Sequence, residues 1–181
     1  MPDNGLVVVT PTSITQTGTG SSASIGTSGR VSFTACATLS LNGVFTTSYN
    51  NYMIMGRHST SADYTFRYRF RNSGSDATDA GYVSQYVFSD GTAISASRTT
   101  TTYADMSFRG NTQRAGFTAY VFGPRLAQPT ALRSILADDY LGGAVLDLAS
   151  THSQSTAYDG ITLIASAGSF TGEVTVYAFT Q

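Results

Sequence analysis

Tyr64-Thr65-Phe66-Arg67-Tyr68-Arg69-Phe70-Arg71 is the stretch on which the fold turns. Tyr64, Phe66, Tyr68 and Phe70 share one parity; Thr65, Arg67, Arg69 and Arg71 share the other. Successive side chains of a strand point to opposite faces, so the octapeptide is predicted to be a β-strand with an aromatic face for a core and a face carrying three guanidinium groups. Arginines two residues apart in a strand sit about 6.5–7 Å from one another and repel unless acids, anions or water screen them. Two readings of Arg67, Arg69 and Arg71 follow. Their planar forks suit carboxylate, phosphate or sulfate groups on a partner surface or a glycan, or they pair with Asp across sheets or subunits.

The same alternation recurs on either side. Val31, Phe33, Ala35, Ala37, Leu39 and Leu41 alternate without a break with Ser32, Thr34, Cys36, Thr38 and Ser40, the pattern of a half-buried strand. Asn42-Gly43 signals a turn, and Val44-Phe45 and Tyr52-Met53-Ile54-Met55 bracket a polar corner over residues 46–51. Further strands are expected near Tyr82–Phe88, Met106–Arg109, Gly116–Phe122, Leu132–Leu136, Val145–Ala149, Gly160–Ala165 and Gly172–Phe179. One of them competes with a helix: Thr130 can cap it, Leu132, Ile135 and Leu136 have helical spacing, and Gly142-Gly143 can end it. The strand is preferred. Short strands with polar, Gly-rich connections predict an all-β fold, an antiparallel two-sheet β-sandwich of jelly-roll type. Several strands, Tyr82–Phe88 among them, are apolar on both parities, which implies a second buried face and favours an oligomer.

Composition agrees with this class. A chain of 181 residues suits one domain. Its ten basic residues are all Arg, Glu173 is its single Glu, and Ser and Thr fill 50 positions, so helix formers are scarce. A net charge of −1 offers no general attraction to nucleic acid or to an anionic membrane. Residues 1–30 lack the basic start and apolar block of a secretory signal, and nowhere do 18 apolar residues run together, so no membrane insertion is expected. Cys36 is the single cysteine and excludes an intrachain disulfide; synthesis in a reducing cytoplasm is the simplest inference.

Residues 1–30 hold an apolar run, Leu6-Val7-Val8-Val9, and a Ser/Thr/Gly-rich tract over 15–29 that cannot support a core of its own. They read as an extended N-terminal arm ahead of a β-sandwich over residues 31–181. The arm either reaches a neighbouring subunit, with Leu6, Val7, Val8 and Val9 as its anchor, or packs on its own domain as an edge strand.

Little in the chain signals chemistry. There is no Gly-x-Ser-x-Gly elbow, and His58 and His152 stand apart from any cluster of metal ligands. Cys36, on the polar parity, is expected at an interface or second layer. Asp138-Asp139, Asp147 and Asp159 permit a carboxylate pair but read better as turn acids or arginine partners. Asp76, Asp79 and the loop to Gly81 miss the calcium-loop spacing and read as an Asx-type turn. Residues 99–102 form a loop or strand-edge tract. No catalytic residue, metal or cofactor is expected.

Two stretches carry a resemblance. Leu39-Ser-Leu-Asn-Gly-Val-Phe45 with Ser48-Tyr-Asn-Asn-Tyr-Met-Ile54, and Tyr158-Asp-Gly-Ile-Thr-Leu-Ile164 with Ser169-Phe-Thr-Gly-Glu-Val-Thr-Val-Tyr177, resemble a pattern of virion structural proteins of tailed bacteriophages, of minor-tail or tail-fibre type. The resemblance implies a non-enzymatic particle component made in the host cytoplasm, whose partners are copies of itself, with a trimer favoured, and other capsid or tail proteins. It implies anchoring by the arm and an outward sandwich that meets host-surface glycan. The alternative is a stand-alone carbohydrate-binding module or lectin, and a third class is a small glycan hydrolase.

Overall fold

The computed structural model describes residues 5–62, 65–108, 114–138 and 143–180. Every regular element among them is a strand: β1 (Leu6–Val9), β2 (Ser13–Thr17), β3 (Ser22–Ile25), β4 (Val31–Cys36), β5 (Thr38–Asn42), β6 (Asn51–Thr60), β7 (Thr65–Asn72), β8 (Ser75–Asp76), β9 (Tyr82–Ser89), β10 (Ile94–Thr101), β11 (Ala104–Phe108), β12 (Arg114–Phe122), β13 (Thr130–Asp138), β14 (Ala144–His152), β15 (Gly160–Ala165) and β16 (Phe170–Phe179). Ten of them form one sheet in the order β10-β9-β14-β13-β12-β6-β16-β4-β3, with β1 also paired to β16. The second sheet runs β11-β7-β15-β5-β2, with β8 on β7. The two sheets make an antiparallel β-sandwich of jelly-roll type. The stretch that competed for a helix is β13, paired along its whole length with β14 and over residues 131–138 with β12.

Strand β7 lines the core as its parity demands. Phe66, Tyr68 and Phe70 are buried, and Tyr64 lies outside the described residues. Phe66 meets Phe117 and Phe170 at 5.6 and 5.1 Å, and Phe70 stacks on Tyr158 at 5.0 Å. Burying rings of this size is the main favourable term holding the two sheets together.

The segment from Val31 to Leu41 departs from expectation. It is two strands in opposite sheets, β4 beside β16 and β5 beside β15. The break falls at Ala35, whose φ of 51° is left-handed, where the register of β4 against β16 slips. The extra residue of this bulge inverts the parity. Cys36 therefore turns into the core, fully buried, and not toward an interface or second layer. Thr171 Oγ1 accepts the Ala35 N–H at 3.0 Å, satisfying the donor that the bulge removes from the ladder.

The arm also needs correction. Residues 5–30 take the second of their two expected forms and are no separate extension: β1 pairs with β16, β2 with β5 and β3 with β4. Val9 is buried and Val7 packs against the core, while Leu6 and Val8 face outward. Ser and Thr suffice for these edge strands because a ladder needs backbone groups, not apolar side chains. Among the described residues Val87 of β9 stays 51% exposed, so the expected second cover does not reach it there.

Candidate binding groove

On the ten-stranded sheet the residues facing away from the core fall into rows across β16, β6 and β12. Reading along β6, these rows are Tyr177-Met53-Tyr120, Thr175-Met55-Thr118, Glu173-Arg57-Gly116 and Thr171-Ser59-Arg114. From the first row to the last is roughly 20 Å, at about 3.3 Å per residue. A groove of about 580 Å³ follows these rows; a hollow of about 390 Å³ continues it toward β3 and β4, and one of about 170 Å³ lies over the last rows of β16, β6 and β12. Arg57 borders all three.

The groove has two chemically distinct ends. At one, Tyr120 stacks with Phe179 at 6.3 Å, and Tyr177, Met55 and Ile135 supply further apolar surface. At the other, Arg30 holds Glu173 at 3.2 Å, and Arg57 stands opposite Glu173 in the ladder. Thr118 and Thr175 put hydroxyls between the ends. Gly116, which carries no side chain, leaves the floor open beside Arg57. Apolar ring surface beside a few convergent polar groups is the make-up of a small-molecule site.

None of the arginines singled out from the sequence lies here, because β7 belongs to the other sheet. Each has partners in its own chain. Arg67 pairs with Asp105 at 3.4 Å and lies 4.0 Å over the Tyr103 ring. Burial pushes the Asp105 carboxyl up, and Arg67 pulls it back down. Arg69 donates to the Thr102 carbonyl at 2.9 Å and to its hydroxyl at 3.3 Å. Arg71 is buried and donates to Asn42 Oδ1 at 2.9 Å, Ser40 Oγ at 3.0 Å and Thr162 Oγ1 at 2.7 Å, as well as to Asp76 and the Gly74 carbonyl.

Both histidines and several of the acids noted in the sequence are also engaged within the chain. His152 is buried between Asp79, 3.0 Å from Nε2, and the Tyr158 hydroxyl, 2.6 Å from Nδ1. A neutral ring that donates from Nε2 and accepts at Nδ1 satisfies both contacts. Asp79 also accepts the Gly81 N–H at 3.0 Å, forming the expected Asx-type turn. Asp147 pairs with Arg133, and Asp159 accepts the Ser73 N–H at 2.9 Å. Asp139 lies outside the described residues. Among the described residues no three His, Cys, Asp or Glu side chains gather as metal ligands. His58 stacks on Phe66 at 4.7 Å, and burial lowers its pKa to about 4.

Sequence reasoning missed Arg30, Arg57, Glu173, Tyr120 and Tyr177 as a group. For Arg57, Tyr120, Glu173 and Tyr177 the available signal was parity, since on β6, β12 and β16 they alternate with core residues, but parity does not say which strands adjoin, and Arg30 lies outside any strand.

No family model and no curated protein matches the chain. Similar solved structures include galectin LEC-6 of Caenorhabditis elegans, at 12% identity and a TM-score of 0.34, covering 98% of this chain and 99% of that one. Others are the C-terminal CBM6 of LamC, a marine laminarinase from Zobellia galactanivorans (10%, TM-score 0.22, covering 97% and 98%), and CBM35 from Paenibacillus barcinonensis (13%, 0.14, covering 85% and 99%). Likeness at this level leaves the functional argument to the groove itself.

Proposed function

We propose that the chain is a non-enzymatic recognition domain of a bacteriophage particle that binds saccharide in the groove across β16, β6 and β12. The observation that carries this reading is the groove's make-up. Tyrosine rings and methionine at one end match the apolar face of a sugar, and the Arg30–Glu173–Arg57 set and threonine hydroxyls at the other match its hydroxyl edge. The particle setting rests on the resemblance of the two motif segments. Those segments adjoin in space: Leu39 and Leu41 pair with Leu163 and Ile161, and Tyr52 to Ile54 pair with Ala178 to Val176.

In this reading copies of the chain associate, with threefold symmetry favoured, beside other capsid or tail proteins. Val87, Ile94 and Val145 cluster on the outer face at the β10 end of the sheet, 51, 79 and 60% exposed, and supply the apolar surface for that contact. Since residues 5–30 are woven into the sandwich, attachment uses the domain surface and not a free arm.

A glycan array tests the binding claim. A specific hit that Tyr120→Ala and Tyr177→Ala abolish supports it, and absence of any hit refutes it. The second reading, a free-standing lectin, rests on the same groove make-up. Mass spectrometry of gradient-purified particles separates the two, since a free-standing lectin stays in the supernatant.

A further inference from the structure

We infer that the groove selects acidic saccharides, seating a sulfate or carboxylate substituent between Arg57 and Arg114. This deepens the saccharide reading and rests on it. Arg57 and Arg114 project from the same face of neighbouring strands: Arg114 stands opposite Ser59 and Gly116 opposite Arg57. The two arginines are thus diagonal neighbours, with Cβ atoms about 7–8 Å apart, and they line one hollow of about 170 Å³.

Two guanidinium groups borne on such neighbours repel unless an anion or water screens them. Among the described residues neither makes a recorded hydrogen bond or ion pair, and Glu173, the carboxylate facing Arg57, is held by Arg30. The local balance is three guanidinium groups against one carboxylate. On β7, by contrast, each arginine is engaged within the chain. The hollow also carries donors. Thr171 Oγ1 accepts the Ala35 N–H, so its own proton is directed elsewhere, and Ser59 lies between Thr171 and Arg114 in the same row. Two planar forks and two hydroxyls around one hollow match the several acceptor oxygens of a sulfate or carboxylate. The uncharged tyrosine end, roughly 13–20 Å away along the strands, then takes a sugar ring further along the same saccharide.

The experiment is affinity electrophoresis in gels containing κ-carrageenan (a sulfated galactan), alginate (a polyuronate) or agarose (a neutral galactan), with the full chain and its Arg57→Gln, Arg114→Gln and Arg98→Gln variants. Retardation by a charged polymer but not by agarose is expected, and which charged polymer retards identifies sulfate or carboxylate. Each of the first two substitutions should weaken binding about tenfold and flatten its salt dependence. Arg98→Gln, on the distant exposed strand β10, should change nothing. Equal retardation by agarose with no effect at Arg57 or Arg114 overturns the acidic selectivity and leaves a neutral-sugar groove standing. An equal loss in Arg98→Gln also overturns it, since the attraction is then diffuse charge. Binding to no polymer at all removes the saccharide reading itself.

Discussion

Acidification should destabilise this protein through His58. The side chain projects inward from β6, 3% exposed, stacked on Phe66 with its ring 5.9 Å from Phe117. Burial lowers its pKa from 6.5 to about 4, so the folded state favours the neutral ring while the unfolded chain still titrates near 6.5. The stability tied to that neutral ring is present in full above pH 6.5, is lost progressively as the pH falls from there, and is gone below the folded value. The whole window is worth about 3 kcal/mol, and by pH 5 about 2 kcal/mol is gone. The assay is urea unfolding followed by tyrosine fluorescence at pH 7.5 and 5.0, for the protein and for His58→Gln. Burial also lowers His152, and burial raises Asp105, so the wild-type drop mixes several groups. The difference between the two proteins isolates His58. The variant is expected to be less stable at pH 7.5 but to lose about 2 kcal/mol less on going to pH 5. A variant whose loss matches that of the wild type would refute the reasoning.

Other substitutions probe the packing. At Gly172 a Cβ would lie 2.0 Å from the Arg57 carbonyl oxygen and 2.8 Å from the His58 Cα, so Gly172→Ala must part β16 from β6 and should cost about 3 kcal/mol or more; calorimetry reads this as a lower Tm. Arg71→Met leaves Asp76 without its guanidinium and strips Ser40, Asn42 and Thr162 of their shared donor, with an expected loss of about 3 kcal/mol in urea unfolding. Cys36, buried with its thiol pKa raised by that burial, should react with a disulfide reagent only as fast as the domain opens, and at the ordinary rate in urea.

How far the fold could be read depended on the kind of information each segment carries. The bounds of β15 and the existence of β7, β9, β12, β13, β14 and β16 follow from apolar runs and their punctuation. Strands β2, β3 and β10 escaped because each is built mostly from Ser, Thr or Ala with a single Ile, and no apolar period marks them. Residues 31–41 misled for a different reason: alternation continues through Ala35 in the sequence, and the left-handed bulge that inverts it has no side-chain signature. For Arg67, Arg69 and Arg71 the face was legible and the partners were not. Asp105 and Thr102 meet them only because β11 and the turn before it lie beside β7.

The amino-acid order by itself determined that the chain is built of strands and which side chains of each share a face, since side-chain alternation is a local property of an extended backbone. Which strands adjoin was decided only in three dimensions, because the N–H and C=O groups that pair them are the same at nearly every residue and carry no address. The groove belongs to this second category. Arg57, Arg114 and Glu173 come from three distant parts of the chain, and only the placement of β6 between β12 and β16 makes them neighbours.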